Sequence, residues 1–434
     1  MPPASSDVSD SARPVPSRLW WDSGFLRLWV GQTASQLGEQ ASLVIVPLWA
    51  VLTLDAGAGQ LGVLRAVGQT PILLLSLLAG AWVDRWRTST VMVVTDIGRT
   101  LALGAAAVAG LLGRLGMPTL FVVAFFVGTL SVFFDVAYQA SLVRLVGRDQ
   151  LTRGNSALEG SRSAAQIGGP ALGGALVSLC SAPIAAASSA LFFALSFLSV
   201  RPIRRIESVP LSTQRPLSLR RRIHQGFRCV VSDPLLGTVC LASAAFQFCF
   251  AAMMTVYLLF LPRELHLSGA AVGLALAATG PGALLGSVLA ARLPRRFGYG
   301  VVLVSAAALG DGLFLCVPAV HGSSAVTVPA LLAINFVFGA GGQLVNVTVM
   351  AVRQAVTPAG MQGRAAATIT FAGMGLSPLG SLLGGYLAEG CGLRTSLLVT
   401  AAGMVLSPTV MALSPLGRLG RTLPPPSDAA TAGP

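Results

Sequence analysis

The chain has 434 residues, of which 54% are hydrophobic and only 10% charged, with a formal net charge of +13 and a mean hydropathy of +0.75. Soluble domains carry about 25% charged residues to cover their wet surface, so this chain must be solvated mostly by lipid. Every basic residue is Arg, and the absence of Lys excludes a Walker A loop and the Schiff-base cofactors retinal and pyridoxal phosphate.

His224, His266 and His321 have no partner at ligand spacing, and the six cysteines form no CxxC pair, so no haem, zinc site or structural disulfide is expected. Residues 1–22, rich in Ser, Pro and Asp, read as a disordered cytoplasmic tail rather than a signal peptide. The chain then runs as apolar stretches of the length that crosses about 30 Å of hydrocarbon as helix. The expected spans are 25–51, 60–83, 89–112, 119–141, 156–180 and 183–200, then 234–260, 269–291, 301–320, 327–350, 365–388 and 393–413. That makes about twelve helices, an all-α membrane protein.

Between the sixth and seventh spans lies a polar loop, 201–233, with an Arg cluster from Arg201 to Arg228; its part from Pro216 to Val231 has the composition of a basic amphipathic helix on the inner leaflet. The domains follow as a six-helix unit over 23–200, this linker, a second unit over 234–414 and a tail over 415–434. With both termini cytoplasmic, nearly all Arg residues fall on the inner side, and only Arg65, Arg114, Arg263 and Arg394 fall outside. That asymmetry obeys the positive-inside rule, gives the high pI a membrane rather than a nucleic-acid meaning, and places the chain in the inner membrane. Two pseudo-equivalent bundles imply a substrate site near the midplane between them.

Chemistry concentrates in a few places. In the first span Gln32, Ser35, Gln36 and Glu39 recur at i, i+3, i+4 and i+7 and share one helix face. A carboxyl at that depth costs about 2.5–3.5 kcal/mol on insertion scales and must face the interior. Glu39 is therefore the candidate proton carrier, with Gln32 and Gln36 in its cavity; the competing reading is a structural pair with Arg65. Asp311, in the ninth span, is the other deep acid, with a local Ser or Asn partner as its plainer explanation. Asp96 and Asp135 sit nearer the cytoplasmic ends, where pairing with Arg99, Arg144 or another loop Arg suits gating. Asn335, Gln343 and Asn346 in the tenth span are candidates for contact with substrate or with neighbouring helices.

After the second span comes Gly80-Ala81-Trp82-Val83-Asp84-Arg85-Trp86-Arg87, followed by Asp96 and Arg99. The fifth span holds Gly169-Pro170-Ala171-Leu172-Gly173-Gly174, echoed by Pro378-Leu379-Gly380 and Gly384-Gly385 in the eleventh. These stretches resemble the major facilitator superfamily, whose loop signature is G-x-x-x-D-R-x-G-R-R and whose antiporters carry G-P-x-x-G-G. Here Trp86 replaces a signature Gly, and Ser156 and Ala165 replace two upstream glycines. Leu28 to Gln32, Ser35 to Glu39, Phe133 to Asp135, Gln139-Ala140, Gly154 to Ser156 and Asp233-Pro234 resemble the drug:proton antiporter branch, which includes macrolide and enterobactin exporters. The resemblance covers about 25–421.

It implies two pseudo-symmetric six-helix bundles working by alternating access, with no enzyme activity and no cofactor beyond a proton gradient. A conformational latch would use Gly80, Asp84, Arg85, Arg87, Asp96 and Arg99, and the antiporter motif Gly169, Pro170, Gly173 and Gly174. Proton coupling falls to Glu39 and Asp311, and the substrate cavity to Gln32, Gln36, Arg65, Asn335 and Gln343. The expected partners are protons, lipid and a small lipophilic substrate, with a monomeric protein. Export of one endogenous metabolite, such as a siderophore or antibiotic, and a non-transporting sensor on the same scaffold are the alternatives.

Overall fold

The computed structural model describes residues 23–83, 86–145, 150–205, 219–322, 326–358 and 361–424. The first half contains α1 (Ser23–Leu52), α2 (Ala58–Val83), α3 (Thr88–Leu111), α4 (Met117–Leu145), α5 (Leu151–Leu179) and α6 (Ala182–Val200). A linking helix, α7 (Leu219–Ser232), follows. The second half contains α8 (Pro234–Arg263), α9 (Gly269–Ala277), α10 (Thr279–Ala290), α11 (Leu293–Phe297), α12 (Tyr299–Gly312), α13 (Thr327–Val356), α14 (Gln362–Gly375), α15 (Ser377–Cys391), α16 (Leu393–Met404) and α17 (Leu406–Leu413).

Among the described residues nine segments are long and apolar enough to cross a membrane: Thr88–Leu111, Met117–Leu142, Ala182–Ile203, Pro234–Arg263, Gly269–Ala290, Tyr299–Ala319, Thr327–Val356, Gln362–Cys391 and Leu393–Leu413. The other three expected spans fall on α1, α2 and α5, helices of 30, 26 and 29 residues. Two boundaries differ clearly from expectation. Helix α5 begins at Leu151 rather than 156, and α13 runs to Val356 rather than 350, because a helix continues past the hydrocarbon wherever polar residues such as Arg153 and Arg353 do not break it. Four expected spans are interrupted, at Ala278, Leu376 and Val405 and where α12 passes into a 3₁₀ segment after Gly312; Pro281, Pro378 and Pro408 lie just beyond the first three and remove backbone donors there.

The halves are one pattern written twice. Helices α1 and α8 have the same length, and each bound of α8 lies 211 residues after its counterpart in α1. The starts of α2 and α9, α3 and α12, α5 and α14, and α6 and α16 keep that shift, as do the ends of α4 and α13. Side-chain detail obeys it too. Gly173 packs on the Ala41 backbone and Gly384 on that of Ala252, while Gly128 meets the Gly68 carbonyl and Gly339 that of Thr279. The sequence echo between the fifth and eleventh spans is thus part of a register that spans the whole half without net insertion.

The core has a revealing shape. At the end of the bundle remote from α7, one hydrophobic cluster joins both halves, from Trp49, Leu61 and Phe193 to Tyr257, Leu261 and Leu397. Towards α7 it divides into one cluster of first-half residues around Phe25, Phe134 and Val200, and another of second-half residues around Leu236, Val352 and Leu416. The molecule is sealed at the remote end and parted at the α7 end. Helix α7 rides on the second half, where Gly226 approaches the Arg364 carbonyl and Gln225 accepts a 2.7 Å bond from Arg364.

The seal follows the repeat. Gly62 on α2 packs against the backbone of Gly385 on α15, and Gly273 on α9 against that of Gly174 on α5; Gly62 and Gly273, like Gly174 and Gly385, stand 211 apart. Small residues let backbones close to this distance in a membrane. One turn outward the same symmetry makes two cross-half caps. The Gly59 N–H at the start of α2 donates to Glu389 at 2.8 Å, and the Ala270 N–H at the start of α9 donates to Ser178 at 2.6 Å. Arg263 completes the seal by donating to Asp55 at 3.0 Å and to the Ala56 carbonyl at 2.8 Å.

Candidate transport site

The polar stripe of α1 turns into the first half, and each member meets a different helix. Gln32 accepts a 3.0 Å bond from Ser161 of α5. The Ser35 hydroxyl donates to Asp96 of α3 at 3.3 Å, and Gln36 donates to Asp135 of α4 at 3.5 Å. Glu39 lies 3.6 Å from Arg99, its side chain about one-fifth exposed. The period of the stripe, rather than any one residue, brings α3, α4 and α5 around α1.

Arg99 is the hub. Its guanidinium, fully buried, meets Asp96 at 2.5 Å, Ser35 at 2.9 Å and Ser131 at 3.3 Å. The rings of Phe134 and Phe193 cover its faces at 4.4 and 4.3 Å. A buried guanidinium needs this many partners, because its attraction to a carboxylate alone rarely repays desolvation. The Glu39 Oε2 atom is buried without a hydrogen bond, so Glu39 is the loosest carboxylate of the group.

Two cavities stand out, and the first adjoins this cluster. One, of about 270 Å³, lies within the first half among α1, α2, α3 and α4; Glu39, Asp135, Arg65 and Gln69 stand in its otherwise largely apolar wall. The other, of about 320 Å³, lies between the halves, with Ser163, Gln166 and Ile167 of α5 on one side and α8, α10 and α13 on the other. Phe246, Phe250 and Phe338 stack along that wall with centroids 5.4 to 6.4 Å apart, and Gln343 supplies an amide. The repeat sets the two walls in relation: 211 residues after Glu39 stands Phe250, and after Ser35 stands Phe246. What is ionic in one half is aromatic in the other.

Some sequence expectations change here. Glu39 pairs with Arg99 and not with Arg65, which forms no ion pair with any described residue; the guanidinium on α3 is the one that reaches Glu39. Asp311 is buried, yet its side chain has no Ser or Asn partner among the described residues. Asp96 and Arg99 lie about two and three turns into α3 and pair with each other as expected, Arg99 also reaching Glu39, while Asp135 joins Gln36 in the same cluster. Asp84 and Arg85 lie outside the described residues; Gly80 is in the last turn of α2, and Arg87 is exposed at the mouth of α3. Asn335 is buried and donates to the Tyr257 hydroxyl at 2.8 Å, bracing α13 on α8, while Gln343 lines the interhalf cavity. Asn346 is exposed.

The antiporter motif serves two faces. Gly169 and Gly173 pack on Gln40 and Ala41 of α1, next to Glu39, while Pro170 and Gly174 meet Gly273 of the other half. One stretch of α5 therefore touches the ionic cluster's helix and the seal. Sequence reasoning missed Ser131, Ser161, Phe134 and Phe193 around the cluster and the three stacked phenylalanines; the 211-residue repeat was the available signal for the last group.

Residues 21–428 match the family described as transmembrane secretion effector. The multidrug efflux pump Tap of Mycobacterium tuberculosis is 29% identical over 393 residues, covering 85% of this chain and 88% of the relative. Tap of Mycolicibacterium fortuitum is 25% identical, covering 87% and 92%. Among solved structures, a bacterial homologue of the iron transporter ferroportin in its inward-facing state superposes with a TM-score of 0.72 at 17% identity, covering 90% of this chain and 98% of that one. Its outward-facing state gives 0.58 at 19% identity with the same coverage. With the fold, the repeat and the family match in agreement, the chain is a multi-pass membrane transporter of the major facilitator superfamily, belonging to the transmembrane secretion effector family.

Proposed function

We propose that the chain is a proton-coupled antiporter of the cytoplasmic membrane that expels small lipophilic compounds by alternating access, as a monomer with both termini and α7 on the cytoplasmic side. The observation that carries this reading is Glu39: a membrane-embedded carboxylate, held by Arg99 without a hydrogen bond and partly open to a cavity. Protonation would remove its pull on Arg99, which then relies on Asp96 and Ser35. Its neighbour Gln40 lies against Gly169, and Gly174 lies against Gly273, so a shift of α1 reaches the seal between the halves through α5. The parted α7 end then faces the cytoplasm and is the loading state. Asp311 is a second candidate for proton coupling, and Gly80, Asp84, Arg85 and Arg87 form the latch that holds the α7 end shut once the seal opens. Efflux, as opposed to uptake, is supported by the relatives named multidrug efflux pumps.

The test is substrate-triggered proton movement in liposomes, with a susceptibility panel in a host stripped of its own exporters. Wild type should release protons on addition of a transported drug and protect cells against several compounds; Glu39→Gln should do neither at equal membrane abundance. Proton-driven export retained by Glu39→Gln removes Glu39 from the mechanism.

A further inference from the structure

Arg65 lies seven residues into α2 on the wall of the first-half cavity, and its situation is the reverse of that of Arg99. Arg99 has two carboxylates, two hydroxyls and two rings. Arg65 has no hydrogen bond, carboxylate or aromatic face among the described residues, and its Nε is buried. One turn further along the same face, the Gln69 Oε1 atom is also buried without a partner and lines the same cavity. An unpartnered guanidinium in a membrane interior is disfavoured, and such groups mark substrate paths. The repeat shows that the scaffold does not require it, since the counterpart of Arg65 is Leu276.

A guanidinium offers a planar fork of N–H donors that fits a carboxylate with two parallel bonds. Glu39 and Asp135 share the cavity and repel a simple anion, so the charge pattern favours a ligand carrying a positive nitrogen as well. At about 270 Å³ the space suits a charged head group, and its largely apolar wall, with Leu43, Val46 and Ile72, suits the apolar body next to it. Resting on the export reading above, we propose that Arg65, assisted by Gln69, is a specificity-determining carboxylate receptor, and that the preferred substrates are zwitterionic amphiphiles.

A matched dye pair tests this: a rhodamine with its free carboxylate, and the methyl ester of the same rhodamine, which keeps the ring and the cation. Transport of each into everted membrane vesicles is measured for wild type, Arg65→Gln and Arg65→Lys, with abundance and melting in detergent as folding controls. Wild type should favour the acid. Arg65→Gln should lower the acid-to-ester ratio of kcat/KM by about tenfold or more, and Arg65→Lys should recover part of it, the loss of one charge-assisted pair being worth that order. Equal loss of both dyes in Arg65→Gln would make Arg65 a gating residue and overturn the proposal, as would a wild type that favours the ester. If neither dye moves while the wild type still protects cells against the drug panel, the carboxylate receptor falls and export stands. If the wild type moves no dye and protects against no drug, export falls and the receptor with it.

Discussion

At the scale of single residues, the first half is organised by how two arginines are satisfied. Arg99 is enclosed on every side, so its removal leaves the fully buried Asp96, and Glu39 beside it, without their cation. Breaking a buried charge pair from one side typically costs about 3–5 kcal/mol. Arg99→Leu should accordingly unfold at a markedly lower temperature in detergent, and adding Asp96→Asn to it should recover part of that loss, measured by thermal unfolding of the purified variants. Phe250 makes a different case, since its ring stacks on Phe246 and Phe338 at the cavity wall. Truncation there should act on substrate: Phe250→Ala should raise KM for aromatic drugs by roughly tenfold, in line with the loss of a stacking ring and its buried area, while Phe250→Tyr should stay near wild type. The sequence made Glu39 legible because a period of 3.6 can be read along one helix. It did not disclose the Glu39–Arg99 pair, since Arg65 and Arg99 come from neighbouring helices and only packing decides which of them reaches α1.

At the scale of helices, the seal relies on glycine and on two caps. A side chain at Gly273 would meet the Pro170 carbonyl and the Gly174 backbone, both main chain and unable to yield. Gly273→Val should prevent closure of the remote end and trap the molecule with that end parted; a thiol reagent that does not cross the membrane should then label a cysteine placed near Gly174 faster. The caps respond more gently. Glu389 is exposed, and an anion at a helix start contributes about 0.3–1 kcal/mol, so Glu389→Gln should shift the balance between states by a few fold at most, read by the same labelling. Ser178→Ala removes the matching cap on the other side, and the double variant should add the two effects. Nine of the spans were legible from apolar length alone. The interruptions at Ala278, Gly312, Leu376 and Val405 were not, because each lies inside an apolar run that satisfies the length rule with or without a break.

At the scale of the molecule, the divided core states where the halves can come apart. Trp49 belongs to the cluster shared by both halves and is 1% exposed, its indole against Gly110. Phe25 belongs to the first-half cluster alone. Truncating either costs about 3–5 kcal/mol of packing, but only Trp49→Ala loosens the cluster in which both halves take part. Both variants should melt lower, and Trp49→Ala alone should also speed labelling at the remote end. A break between two sets of helices was legible from the basic stretch that divides the expected spans. The depth of the likeness between bundles was not, because the positions that match are mostly Gly, Ala, Leu and Val, residues common to any membrane helix, while Glu39 and Arg65 stand opposite Phe250 and Leu276 in the register.

That likeness has a historical consequence. Two units that keep one ruler over six helices, with no residue gained or lost overall, are what a doubled gene leaves when selection forbids insertions but permits exchange of side chains. Glu39 and its counterpart Phe250, and Arg65 and its counterpart Leu276, then record divergence after doubling: one copy carries charges where the other carries aromatic and aliphatic side chains. A chimaera carrying the first unit twice would inherit two ionic clusters and no aromatic wall, and the ancestor of this transporter is best sought among proteins in which the two copies have not yet parted company.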